Sequence, residues 1–261
     1  MKLKATALKA MGVVLGLAAS ISAASAATEL RVGTSLTQMP WGFYDAQQAP
    51  TGIDVAMCGA IAQQMGYQAS FTNLDYKGLV PALQAGRFDV VCAAMYITPE
   101  REQVISMVPY LRASQAVVTQ KSSAIKGIDD LCGHSVSVLQ GSGSLKVLQG
   151  ASSTCEAAGK PAIAIQSFDT QPVAIRAMEN GSVEAFIATD SLISYYLQRN
   201  DNLKKVATGI NPMTLGIGVP AGDTARVGEI KQALAKLQAS GEYAAILKQW
   251  GIENAGIAAG N

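Results

Sequence analysis

The chain has little of what metal and nucleophile chemistry draws on. It holds one histidine, His134, four cysteines and two tryptophans in 261 residues. The cysteines, at positions 58, 92, 132 and 155, match no zinc spacing, and no Glu-x-x-His or Ser-His-Asp set is present. No metal, no cofactor and no catalytic residue are therefore expected. Charged residues are 15% of the chain, with 20 Lys and Arg against 19 Asp and Glu and no basic cluster. That balance argues against nucleic acid or an anionic membrane as a partner. Beyond the N-terminal region no apolar run is long enough to span a bilayer, and no segment is of low complexity.

What is present begins with an export signal. Lys2, Lys4 and Lys9 precede the apolar run Ala10 to Ile21, and Ala24-Ser25-Ala26 is a small-residue cleavage site. Cleavage near Ala27 removes three lysines and takes the formal net charge from +1 to −2. All four cysteines lie in the exported part, where disulfides are permitted. Cys132 and Cys155 flank one strand-loop-helix unit and are the preferred pair; Cys58 and Cys92 either pair or serve as small core residues.

Strand and helix patterns then alternate. Leu30–Thr34, Ala69–Leu74 and Phe88–Ala94 read as strands, with helices at Ile53–Met65 and Leu79–Ala85 between them. The pattern restarts with strands Ser135–Leu139, Ala162–Ser167 and Val183–Ala188, a helix opening at Ser144–Leu148 and another at Gln171–Glu179. Such βαβ repetition predicts mostly parallel sheets flanked by helices. In both halves a helix stops at Gly (Gly86, Gly181), an acid follows three residues later (Asp89, Glu184), and an apolar strand begins. Gln115–Thr119 and Met213–Val219 fit neither repeat and read as crossover strands between two lobes. Helices Ala225–Ser240 and Tyr243–Trp250 then return to the first lobe.

Three features carry chemistry. In Thr98-Pro99-Glu100-Arg101, Thr98 caps a helix and Pro99 suits its first position. A cation in the first turn is locally disfavoured, so Arg101 makes sense if an anion completes the site; a surface pair with Glu102 or Asp89 is the plainer alternative. Gly141-Ser142-Gly143-Ser144 lies between strand and helix, where small residues let backbone N–H groups approach an anion; an ordinary turn reads the same. Asp190 ends a strand at the expected cleft edge, where it either holds an ammonium group or caps the helix that follows. Together Arg101 and Asp190 would suit a zwitterion.

The chain resembles the solute-binding protein family 3, the polar amino-acid-binding proteins of bacterial ABC importers. The resemblance rests on Gly33-Thr34, Gly52-Ile53-Asp54-Val55, Gly78-Leu79-Val80-Pro81-Ala82-Leu83 and Gly86-Arg87-Phe88-Asp89-Val90. It continues through Ile97-Thr98-Pro99-Glu100-Arg101, Leu215-Gly216-Ile217-Gly218-Val219, Ser240-Gly241-Glu242-Tyr243 and Trp250-Gly251. It implies a two-lobed α/β periplasmic-binding-protein fold: a signal peptide at 1–26, a first lobe of 27–112 and 215–261, and a second of 113–214. It also implies a periplasmic monomer that closes on an amino acid and serves a membrane permease.

By that resemblance Arg101 takes the α-carboxylate and Asp190 the α-ammonium. Backbone groups at Ala93 and Ala94 flank the ligand, and Ser142 and Gly143 add bonds to the carboxylate. Departures stand at Gln38 and Ile53, where the family often has aromatic rings, so the clamp on the ligand side chain moves to Trp41 or Tyr96. Ser35 replaces an acid used for cationic side chains. The expected ligand is therefore a neutral polar or small amino acid, with an acidic amino acid or other small carboxylate second. A lyase or dehydratase on the same scaffold is the alternative from another class.

Overall fold

The computed structural model describes residues 28–258 together with Met1; the export signal and its cleavage site otherwise lie outside the described residues. Eleven strands and eight α-helices follow one another among them. The first half holds β1 (Thr28–Thr34), β2 (Thr37–Gln38), β3 (Gly42–Tyr44), β4 (Pro50–Thr51), α1 (Ile53–Gln64), β5 (Tyr67–Asn73), α2 (Leu79–Gln84), β6 (Val90–Val91) and α3 (Pro99–Glu102). The chain then runs through β7 (Ile105–Gln120), β8 (Ser135–Leu139), α4 (Gly143–Ala157), β9 (Ala164–Phe168), α5 (Gln171–Glu179), β10 (Ala185–Thr189) and α6 (Asp190–Leu197). It closes with β11 (Leu203–Pro220), α7 (Thr224–Ser240) and α8 (Glu242–Gln249).

Eight strands form one continuous sheet in the order β5-β1-β6-β11-β7-β10-β8-β9. β1 runs parallel to β5 and β6, and β8 parallel to β9 and β10. The long strands β7 and β11 lie antiparallel between these two groups and belong to both. The fold is thus α/β, with a mostly parallel sheet in each half. Each half has an apolar cluster on either face of its sheet, which is why buried strands such as Ala185–Ala188 read as unbroken apolar runs. Helices α7 and α8 pack on α1, as the sequence predicts.

The crossover strands are far longer than the sequence indicates. β7 begins ten residues before Gln115 and β11 ten before Met213. Polar residues at their centres, Arg112, Ser114, Thr208 and Asn211, hide the strand pattern, because the middle of β11 is exposed and that of β7 only partly covered. β11 slips register between Lys205 and Ala207, Ala207 and Ile210, Ile210 and Met213, and Leu215 and Gly216. Gly209 and Asn211 take positive φ there, at 66° and 43°. Such bulges bend a strand. The register sets Arg112 beside Thr214, so the two expected lobe boundaries are neighbours in space.

The strand expected at Phe88–Ala94 is only Val90–Val91. Cys92 still donates to Gly33 at 2.9 Å, but Ala94 at φ 45° turns the chain out of the sheet. Both cysteine pairs are bonded. Cys132–Cys155 staples the second half, and Cys58–Cys92 ties α1 to the end of β6, with Cα atoms 5.5 and 6.6 Å apart.

Candidate functional site

Arg101 is placed by the local signal that the sequence displays. Thr98 caps α3, its hydroxyl accepting the Arg101 N–H at 3.4 Å, and Pro99 fills the first turn. The preceding segment is strapped to β11: Ile97 donates to Thr214 at 2.9 Å, and Gly216 donates to Met95 at 2.8 Å. The guanidinium then donates to the Tyr96 carbonyl at 2.7 Å, the Tyr76 hydroxyl at 3.4 Å and the Gly141 carbonyl at 3.1 Å. Its carbon lies 5.8 Å from the centre of the Tyr76 ring. Gly141 belongs to the second lobe, so this one side chain spans the cleft. Neither plain surface partner is used: Asp89 holds Arg31 and Glu102 takes no part.

Other contacts join the same two surfaces. Trp41 donates from Nε1 to the Thr189 hydroxyl at 2.8 Å. Trp41 is held by α1, whose first two N–H groups donate to the Pro40 and Trp41 carbonyls. Gly52 permits this approach, at φ 125° and with the Trp41 oxygen 2.3 Å from where a Cβ would stand. The ring of Tyr96 lies on Gly143, where a Cβ would fall 2.5 Å away. At the rim, Lys77 pairs with Asp169 and Lys146 with Glu100, at 2.6 and 2.7 Å. The Lys146 bonds hold the Glu100 carboxyl down at about 2.

The remaining expected residues fall in different places. Ser142 caps α4, bonding the Leu139 carbonyl at 2.7 Å and the Leu145 N–H at 3.4 Å, so its hydroxyl is committed and the opening N–H groups of α4 are what the loop offers. Gln38 is buried, with its amide nitrogen unpartnered. Ile53 packs wholly within the apolar cluster of the first lobe. Ala93 and Ala94 are both buried, and the Ala94 N–H lies beside a buried Asp54–Tyr110 pair. Burial raises the Asp54 carboxyl to about 7, against the opposing bond from the Tyr110 hydroxyl at 2.5 Å.

Asp190 has partners of its own. It is the first residue of α6 rather than its cap; Thr189 occupies the cap position without a side-chain bond. The Asp190 carboxylate accepts from Lys205 and Thr208, and from Ser194 at 3.3 Å. Burial works against its charge, but Lys205 and Thr208 outweigh burial and hold the carboxyl below its ordinary value. Asp190 and Lys205 face a cavity of about 560 Å³ beside the hinge, also lined by Trp41, Arg112, Ser194 and Asn254. The two charges of the expected zwitterion site thus have different neighbours. Tyr76, Thr189 and Lys205 carry no functional expectation from the sequence, and Gln115 and Gln171 serve there only as the first residues of a predicted strand and a predicted helix. A glutamine inside the apolar run Gln115–Thr119 is the one local signal among them.

Residues 30–253 match the family described as bacterial extracellular solute-binding proteins, family 3. The chain belongs to that family. Among its relatives in the family, ABC transporter arginine-binding protein 1 of Escherichia coli (strain K12) is 27% identical over 232 residues, 87% of this chain and 92% of the relative. An ancestral arginine-binding protein bound to arginine superposes with a TM-score of 0.79 at 33% identity, over 85% of this chain and 97% of that one. An ancestral amino-acid-binding protein, a precursor of cyclohexadienyl dehydratase, gives 0.77 at 26% identity over 85% and 95%. For a family 3 solute-binding protein, the surfaces joined by Arg101, Trp41 and Tyr96 are the place to seek the solute.

Proposed function

We propose that this chain is the extracytoplasmic binding protein of an ABC importer. Its solute is a small carboxylate of amino-acid type, an amino acid or close derivative with a neutral polar or small side chain. The observation that carries the reading is Arg101, a guanidinium on one lobe that reaches a carbonyl on the other. A carboxylate entering the cleft exchanges the Gly141 and Tyr76 bonds for two parallel charge-assisted ones. The opening N–H groups of α4 at Gly143 and Ser144 add donors on the second lobe. Tyr76 underlies the carboxylate end, and Gln38, Trp41 and Tyr96 bound the space for the rest. Because the solute touches both lobes, it favours the closed form by its differential affinity. The exported protein acts as a monomer, and a membrane permease recognises the closed shape.

Transport is favoured over catalysis, although one structural neighbour is named as the precursor of a dehydratase. An enzyme needs an acid or base facing the solute. His134 is bonded to Glu184 at 2.8 Å at the edge of the second lobe. Burial, and then Tyr76, push the Tyr96 phenol up, away from any role as a base near neutrality. A thermal-shift screen of mature, solute-stripped protein against amino acids and small carboxylates tests the proposal. At a thousandfold excess over its dissociation constant a true solute adds about 4 kcal/mol, roughly 8–16 °C for a protein of this size. No shift from any carboxylate would contradict the reading, and turnover of the solute would move the chain to the enzymes.

A further inference from the structure

Five uncharged polar side chains are nine-tenths or more buried on the segments that meet at the cleft, and each has a side-chain atom without a hydrogen-bond partner. They are Thr34 at its hydroxyl, Gln38 at Nε2, Tyr96 at its phenol, Gln115 at both amide atoms and Gln171 at Oε1. Their positions converge. Thr34 ends β1 and Gln38 lies in β2, against which α5 packs, with Gln171 as its first residue. Gln115 stands directly opposite Thr189, whose hydroxyl accepts from Trp41. Tyr96 rests on Gly143. A buried polar atom left unpaired costs about 1–3 kcal/mol, so a group of them on facing surfaces outlines a chamber for a polar occupant.

Three acids on or beside those segments are already paired, and the unpaired ones there, Asp75 and Glu102, are exposed to solvent. Asp190 accepts from Lys205 and Thr208, Asp169 from Lys77 and Glu100 from Lys146. Asp54 is buried within the first lobe against Tyr110. A free ammonium group brought into this chamber would meet amides and hydroxyls with no uncommitted counter-charge. Desolvating a charge without a partner is far costlier than desolvating a neutral polar group.

We infer that the solute is a carboxylate whose other polar groups are uncharged, such as amide, hydroxyl or acylated amine, and that it presents no free ammonium. The inference rests on the reading that Arg101 holds a carboxylate between the lobes. Lys205 is the specificity-determining residue, because it keeps Asp190 from serving an ammonium.

The test is calorimetric titration of solute-stripped protein with matched pairs: glutamine against N-acetylglutamine, serine against N-acetylserine, and alanine against lactate. The expected result is that, in the pair that binds, the member without ammonium binds at least tenfold more tightly. A zwitterion that binds as tightly as its counterpart overturns the inference and leaves the transport reading standing. Binding by neither member of any pair overturns both. Lys205→Met supplies a second readout. It should strengthen zwitterion binding at least fivefold and leave the counterpart unchanged; an unaltered zwitterion affinity removes the role assigned to Lys205.

Discussion

In the first lobe α2 stops before Gly86, and Asp89 three residues on accepts the Arg31 backbone N–H at 2.8 Å. In the second lobe α5 stops before Gly181, and Glu184 accepts the Ser135 N–H at 2.9 Å. Each acid also returns its own N–H to the same neighbour, Asp89 to the Arg31 carbonyl and Glu184 to that of Ser135. The two acids stand just before the equivalent parallel strands β6 and β10 and clamp their starts to β1 and β8. The lobes differ at the opposite ends of those strands. There the first lobe contributes charge and aromatic surface through Arg101, Tyr76, Trp41 and Tyr96. The second contributes backbone, through Gly141 and the opening of α4, and keeps its acid Asp190 bound to Lys205. Matched scaffolds thus carry unmatched cleft faces, and on the proposed reading a charged lobe and a neutral one divide recognition between them.

The sharpest way to break that division is to remove the charge. Arg101→Ala should lower solute affinity by roughly thirtyfold to several thousandfold, the equivalent of about 2–5 kcal/mol, with the circular dichroism spectrum unchanged. Arg101→Lys should also bind weakly, because an ammonium cannot supply two parallel bonds. On the second lobe Ser142→Ala should cost stability, about 1 kcal/mol for a lost cap, rather than affinity. An Arg101→Ala protein that binds like the parent would erase the asymmetry.

A smaller effect is expected where the lobes touch. Gly143→Ala sets a methyl group into the Tyr96 ring. Overpacking of this kind costs about 1–3 kcal/mol, and it falls only on the closed form, so affinity should drop roughly five- to hundredfold while the unliganded melting temperature holds. Adding Tyr96→Ala should relieve the clash. If Gly143→Ala binds normally, Tyr96 does not lie on the second lobe during binding.

The smallest effect concerns the matched clamps. Burial pushes the Asp89 carboxyl up, but the Arg31 bonds prevail and leave it below its ordinary value. The Ser135 N–H, followed by His134, lowers Glu184. Carboxyls depressed in the folded state stabilise it above their unfolded pKa, near 3.8 and 4.5, and lose that contribution as pH falls through the folded value. A protein carrying Asp89→Asn and Glu184→Gln should therefore lose less thermal stability between pH 6 and pH 3 than its parent. Equal or greater acid sensitivity would show that these two carboxylates do not supply the pH-dependent stability.

Much of this architecture was legible in the chain because local signals and burial agree there. Helix α5 runs from Gln171 to Glu179 as its apolar spacing and Asn180-Gly181 indicate. The cap at Thr98 and Pro99 places Arg101, and the similarity of Asp89 and Glu184 reflects a shared strand clamp. What was hidden depends on partners distant in sequence. Asp190 reads as an available carboxylate because nothing in its neighbourhood announces Lys205, 15 residues on and brought beside it by β11. The lengths of β7 and β11 were obscured because their centres are polar and bulged where no core covers them. Gln115 and Gln171 matter through their unpaired amides, a property that only the packed structure defines.

We propose that the lobes close about β7 and β11 on a solute held between them. Small-angle X-ray scattering of the mature, solute-stripped protein, with and without a saturating concentration of the solute found in the screen, addresses it most directly. Solute should lower the radius of gyration, with the curve approaching that expected for the arrangement in which Arg101 reaches Gly141. Superimposable curves in the two conditions would contradict it.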